Sequence, residues 1–152
     1  MALTAIVFDV GWTLVDETRQ QESPASPFTE DDLYPDALPC IAALRERGIT
    51  VGVVGNMGQK NESFIARHVD WVGSSERWGV SKPAPEFFTR VVDELARPPH
   101  EIAYVGDRVD NDIVPALAFG MQAVHIRRGP YGSVHEAPEG VRRIDSLLEL
   151  VA

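Results

Sequence analysis

The run Ala5-Ile6-Val7-Phe8-Asp9 and its counterpart Ile102-Ala103-Tyr104-Val105-Gly106-Asp107 decide how this chain folds. Each is a continuous apolar stretch that ends in an acid. Strands buried on both faces of a parallel sheet read in this way, and open parallel sheets bind ligands at the carboxyl ends of their strands. Two such strands in one sheet bring Asp9 to Asp107, with Asp110 and Asp112 just beyond. Acids gathered at one rim repel each other unless a hard divalent cation such as Mg2+ sits among them. Lys82 lies between them in the chain, at the mouth of a helical stretch, and offers the same rim a positive charge. Metal and anion at one rim point to phosphate chemistry.

Working outward, strand and helix signals alternate. Thr4 to Val10 reads as the first strand, Leu38 to Arg47 as a helix closed by Gly48, and Thr50 to Val54 as the second strand. Gly58 to His68 is helical and precedes a short strand, Trp71 to Gly73. Pro83 to Ala96 forms the next helix, with Pro in its first turn and Glu86 at the dipole's positive end. After the strand Ile102 to Val105, a helix starts near Asp112, which keeps Pro115 within the first turn, where no intrahelical N–H bond is lost. Ala123 to Ile126 is the fifth strand, and Ser146 to Val151 a closing helix. Strands alternating with helices predict an α/β fold with a parallel sheet and right-handed crossovers. Residues 15–37 break the pattern with Ser23-Pro24, Ser26-Pro27 and Glu30-Asp31-Asp32, and read as a loop or flap.

Composition sets the context. The 152 residues suit one domain, residues 1–152, able to bury roughly two thirds of its unfolded surface. No stretch reaches the roughly 18 apolar residues of a membrane helix, and the first residues carry no basic segment, so a cytoplasmic protein without a signal peptide is expected. The net charge of −9 disfavours a nucleic-acid backbone as partner, because phosphate contacts need clustered Lys and Arg. The lone cysteine, Cys40, excludes an internal disulfide and lies on the apolar side of a helix with Ile41 and Leu44, as a core thiol does.

Four short segments, in order and at the ends of the right elements, resemble the motifs of the haloacid dehalogenase (HAD) superfamily. They are Phe8-Asp9-Val10-Gly11-Trp12-Thr13-Leu14, Val53-Val54-Gly55-Asn56, Ser81-Lys82-Pro83 and Val105-Gly106-Asp107-Arg108-Val109-Asp110-Asn111-Asp112. The resemblance implies a Rossmann-like three-layer αβα sandwich with a five-stranded parallel sheet. It also implies that Asp9 is a nucleophile forming an aspartyl-phosphate, and that Lys82 pairs with Asp9 and the phosphate. Gly55 and Asn56 would help hold the phosphoryl group. Mg2+ would be held by Asp9, the Gly11 carbonyl, Asp107 and Asp112. Asp110 reads as dispensable, a helix cap instead of a ligand. Trp12 reads as an anchor for the loop after the nucleophile, and His68, His100, His125 and His135 show no metal-ligand spacing.

Two positions depart from the resemblance. The usual second acid of the first motif is Gly11, and the usual Ser or Thr of the second motif is Gly55. General acid–base catalysis contributes roughly 10² to 10⁴ in rate, so a phosphatase with low intrinsic activity is expected, and Gly11→Asp is expected to raise turnover of poorly activated esters. A catalytically silent phosphate-binding or interaction protein on the same fold is the competing reading. A 2-haloacid dehalogenase ranks below both, because residues 15–37 are too few for a helical cap and the metal acids are present. A capless site is open, which implies a phosphorylated small molecule or an accessible phosphorylated macromolecule as partner, with an oligomer neighbour also compatible.

Overall fold

The computed structural model describes residues 2–152. In chain order its strands are β1 Ala5–Phe8, β2 Thr50–Gly55, β3 Trp71–Ser74, β4 Ile102–Gly106, β5 Gln122–Ile126 and β6 Arg142–Ile144. Its helices are α1 Thr18–Glu22, α2 Ala37–Glu46, α3 Gln59–Ala66, α4 Ser75–Trp78, α5 Pro85–Leu95, α6 Val114–Ala118 and α7 Gly129–Gly132.

The strands form one sheet in the order β3-β2-β1-β4-β5-β6, with every neighbouring pair parallel. The chain therefore winds outward from β1 in one direction and, from β4, in the other. The reversal falls between β1 and β4, where Phe8 is in register with Val105. A crevice opens at such a switch point beyond the strand ends, and Asp9 and Asp107 leave the sheet there.

Alternation along the central strands builds both outer layers. Ile6 and Phe8 face a cluster with Ile41 and Leu44 of α2 and Phe64 and Ile65 of α3. Ala5 and Val7 face Phe87, Phe88 and Val91 of α5 and Ala116 of α6. Cys40 is fully buried in the first cluster. Both faces of β1 and β4 are covered, which is why these strands carry apolar runs instead of alternating patterns.

Three expectations are corrected. The sheet has six strands, not five; β6 is Arg142-Arg143-Ile144, a short edge strand with no apolar run to announce it. The winding expected to start near Asp112 begins at Val109, as a π-type turn through Ile113 that passes into α6 with Pro115 in its first turn. The closing helix is a short 3-10 turn, Leu147–Leu150, whose Ser146 and Glu149 form a capping box.

The polar stretch 15–37 contains α1 and a 3-10 turn, Glu30–Asp32, and folds down onto the sheet. Phe28 joins the core. Asp32 is buried and receives Arg19 Nη2 at 2.6 Å, Gln20 Nε2 at 3.1 Å and Thr29 N at 2.8 Å. A buried carboxylate with this many donors ties the segment to itself.

Candidate active site

Asp9 follows β1 immediately, and its N–H still bonds the Val105 carbonyl at 2.9 Å. The chain then turns back sharply, with Leu14 N and Val15 N both bonding the Val10 carbonyl. Thr13, inside this turn, donates its hydroxyl to Asp9 Oδ2 at 3.1 Å, while its own carbonyl accepts from the Arg128 guanidinium. Arg128 also pairs with Asp36 at 2.9 Å and stacks on Tyr34. The turn that carries Asp9 is thus braced by Arg128, which follows β5, and by Asp36 at the start of α2.

Lys82 comes from the loop before α5 and points inward. Its Nζ lies 2.6 Å from Asp9 Oδ1, 2.8 Å from Asp112 Oδ1 and 3.2 Å from the Tyr104 hydroxyl. Burial alone would push its proton off, but the carboxylates of Asp112 and Asp9 outweigh that and hold its pKa well above the ordinary lysine value. Asn56 fixes the backbone of this residue: Lys82 N donates to Asn56 Oδ1 at 2.8 Å, and Asn56 Nδ2 donates to the Lys82 carbonyl at 3.1 Å. The amide of Asn56 is occupied in positioning Lys82, while Gly55 and Asn56 also line the cleft.

Asp112 reaches Lys82 because the π-type turn presents it over Gly106. A Cβ on Gly106 would stand 2.6 Å from the Asp112 Cβ, so only glycine permits that approach. Asp112 accepts from the Tyr104 hydroxyl at 2.9 Å and from Arg108 N at 3.3 Å. Asp110, in contrast, is turned outward and paired with Arg108 at 2.8 Å.

Asp9, Asp107 and Asp112 each offer a carboxylate oxygen, and these oxygens lie within 4.8 Å of one another. Among the described residues nothing hydrogen-bonds the buried Asp107 Oδ2, an arrangement that costs free energy unless something fills it. Burial, reinforced by the charge of Asp9, raises the Asp107 pKa. Burial and Asp9 raise that of Asp112 as well, against the pull of Lys82. A hard oxygen-only donor set with an orphaned buried oxygen and mutual repulsion fits a cation of the Mg2+ type.

The acids open into a cleft of about 510 Å³ whose lining includes Gly11, Trp12, Glu17, Gln20, Arg108 and Tyr131. Trp12 adopts a positive φ of 61° and packs against Gly129, where a Cβ would lie 2.7 Å from its own Cβ. It therefore anchors the loop at the cleft's edge. Glu17 projects from the flap; burial, then the charge of Asp9, raises its carboxyl pKa. Arg108 lies over the Tyr131 ring at 4.4 Å.

Of the residues singled out by sequence, Asp9, Lys82, Asp107 and Asp112 converge, with Gly11, Gly55 and Asn56 on the same cleft. Sequence reasoning missed Tyr104, whose hydroxyl is hidden inside an apolar strand, and Glu17, whose stretch reads only as polar. A carboxylate six positions after Gly11, in the stretch that follows Asp9, was the available signal.

Comparison with known proteins agrees with this geometry. A family model described as haloacid dehalogenase-like hydrolase matches residues 24–120. A glyceraldehyde 3-phosphate phosphatase of Methanopyrus kandleri is 40% identical over 104 residues, covering 64% of this chain and 45% of that protein. One from Methanocaldococcus jannaschii is 35% identical over 124 residues, covering 78% of this chain and 54% of that protein. The chain thus spans about half the length of the curated relatives it matches. A HAD phosphatase from Thermococcus onnurineus superposes with a TM-score of 0.77 at 18% identity, over 97% of this chain and 96% of that one. A 2-haloacid dehalogenase from Pseudomonas syringae does so with a TM-score of 0.78 at 16% identity, over 98% and 96%. Phosphatase and dehalogenase share this fold, so the structural likeness speaks for the fold alone. Together with the family match over most of its length, the sheet order and the acids at its switch point make the chain a member of the haloacid dehalogenase-like hydrolase family.

Proposed function

We propose that the chain is a Mg2+-dependent phosphatase of small phosphate monoesters, acting through an aspartyl-phosphate on Asp9. The observation that carries this reading is the position of Lys82, bonded at once to Asp9 and Asp112 beside the unpartnered Asp107 oxygen. A buried cation next to a nucleophilic carboxylate suits a dianionic substrate, and the phosphatase names of the relatives agree.

Asp9 attacks phosphorus in line and displaces the ester oxygen; water then cleaves the acyl phosphate and restores the carboxylate. Covalent catalysis divides one hard displacement into easier ones. Thr13 and Lys82 fix the orientation of the attacking carboxylate, and Asn56 fixes Lys82. Lys82 provides positive charge for the phosphoryl oxygens. Asp9, Asp107, Asp112 and the Gly11 carbonyl would hold Mg2+, which when bound offsets repulsion between nucleophile and phosphate. Activity is modest for lack of a hydroxyl at position 55.

One other reading has specific support, and a third is disfavoured. Gly11 and Gly55 favour a silent phosphate binder; the metal-type acid cluster disfavours a dehalogenase. No helix among the described residues is long and apolar enough to cross a membrane, and we place the protein in the cytoplasm, acting without nucleic acid. The test is phosphate release from a panel of small monoesters by the wild-type and Asp9→Asn chains, with Mg2+ and with chelator. Release that needs both Asp9 and Mg2+ supports the reading. Binding without turnover favours the silent protein, and metal-independent halide release from 2-haloacids favours the dehalogenase.

A further inference from the structure

Gly11 leaves a space beside the nucleophile, and that space is filled. A Cβ built on Gly11 would stand 2.7 Å from the carboxyl carbon of Glu17 and 3.1 Å from its Oε1. These distances put the Glu17 carboxyl group in the volume that an aspartate side chain at position 11 would occupy. Both residues line the cleft that holds Asp9 and Lys82.

The rest of the flap holds Glu17 there. Asp16 caps the start of α1 by accepting from Thr18 N at 3.0 Å, and Gln21 N bonds the Glu17 carbonyl at 3.1 Å. The following turn is locked through Arg19 and Asp32. Asp32, buried, and Asp36, half-buried, are each tied to an arginine. Glu17 has no basic group at ion-pair distance among the described residues, so its carboxyl remains available to the cleft.

We propose that Glu17 supplies, from the flap, the acid–base group that the first motif lacks. The inference rests on the phosphatase reading of the site. As the bond between phosphorus and the ester oxygen breaks, the Glu17 carboxyl gives its proton to that oxygen, which leaves as the alcohol, while Asp9 bonds to phosphorus. In the second half the Glu17 carboxylate takes a proton from water as the water oxygen bonds to phosphorus and Asp9 departs. One water is consumed, and the Glu17 acid is regenerated. The expectation that Gly11→Asp accelerates the reaction is thereby reversed, because a second carboxylate at position 11 collides with Glu17.

The test uses the full chain with Mg2+ and compares an alkyl ester, glycerol 3-phosphate, with an activated aryl ester, 4-nitrophenyl phosphate. Glu17→Gln should lower kcat/KM, which reports the step that forms the aspartyl-phosphate, about 100-fold or more for the alkyl ester and by less than about tenfold for the aryl ester, since only the alkyl oxygen needs a proton in that step. Gly11→Asp alone should give no gain on the alkyl ester. Gly11→Asp combined with Glu17→Ala should recover at least about tenfold over Glu17→Ala on that ester, because the carboxyl group is moved and not lost. Melting curves confirm folding of each variant. Equal losses of kcat/KM on both esters, no loss on either, or no recovery in a folded double variant overturns the proposal. A wild-type chain that turns over neither ester defeats the phosphatase reading and this inference with it. Asp9-dependent turnover indifferent to Glu17→Gln defeats this inference alone.

Discussion

The ammonium of Lys82 is held 2.6 Å from the carboxylate of Asp9, although the residues are 73 positions apart. The same ammonium contacts Asp112, so one buried cation balances acids delivered by separate strands. In the proposed reaction it orients the nucleophile, and in the fold it neutralises charge that has been removed from water.

Lys82→Met should therefore cost stability as well as turnover. Removing one partner of a buried ion pair leaves the other uncompensated, at a cost of about 3–5 kcal/mol. Urea unfolding of the metal-free protein measures this, and adding Asp112→Asn should restore part of the loss. A Lys82→Met protein as stable as wild type would mean that the acids do not depend on this lysine.

Mg2+ should raise the melting temperature, since a ligand preferring the folded state stabilises it by about 2.7 kcal/mol at one hundred times its Kd. Asp107→Asn should abolish the response, because it removes the carboxylate whose Oδ2 is buried and unpartnered. An unchanged Mg2+ response in that variant would remove Asp107 from the metal site.

The segment from α1 to α2 should loosen in acid. Hydrogen bonds from Arg19 hold the Asp32 carboxyl well below the usual range. At Asp36 burial pushes upward, but Arg128 and the Leu147 N–H outweigh it and the net shift is downward. Acids with depressed folded pKa values stabilise above their unfolded value of about 3.9. That contribution is lost as pH falls through this value toward the folded ones. Asp32→Asn should flatten the acid limb of a stability profile below about pH 4; an unaltered limb would show that Asp32 carries none of it.

Gly106→Ala should disable Asp112 without removing any charged group. The added Cβ would press on Asp112 Cβ and Cγ at 2.6 and 2.7 Å, and overpacking of this kind costs about 1–3 kcal/mol. Melting and phosphate-release measurements should both register it. Wild-type behaviour in both would show that the turn carrying Asp112 can yield freely.

The central strands and the acids at their ends were legible because each leaves a local mark. β1 and β4 are covered on both faces and must be apolar throughout, so Asp9 and Asp107 stand out at their ends. β6 leaves no such mark: as an edge strand of Arg142-Arg143-Ile144 it buries only its last residue. The π-type turn at 109–113 has no propensity signature, and the close approach of Asp112 to Gly106 that it brings about leaves no mark beyond the glycine itself. Lys82 was legible as a charge near a helix start, but its buried position is set by Asn56, just beyond β2, and by Tyr104 of β4. Glu17 was hidden because its meaning comes from the space left by Gly11, a relation that exists only once the flap has folded.

The most direct measurement is to trap the phosphoryl group on the protein. A turning-over mixture with Mg2+ and a labelled monoester is quenched rapidly, reduced with borohydride to mark the acyl phosphate, and mapped by peptide mass spectrometry. The mark should fall on Asp9, and Asp9→Asn should lose both mark and turnover, by at least about a thousandfold as expected for a removed nucleophile. Turnover that persists in Asp9→Asn, or a mark on another residue, would contradict the account.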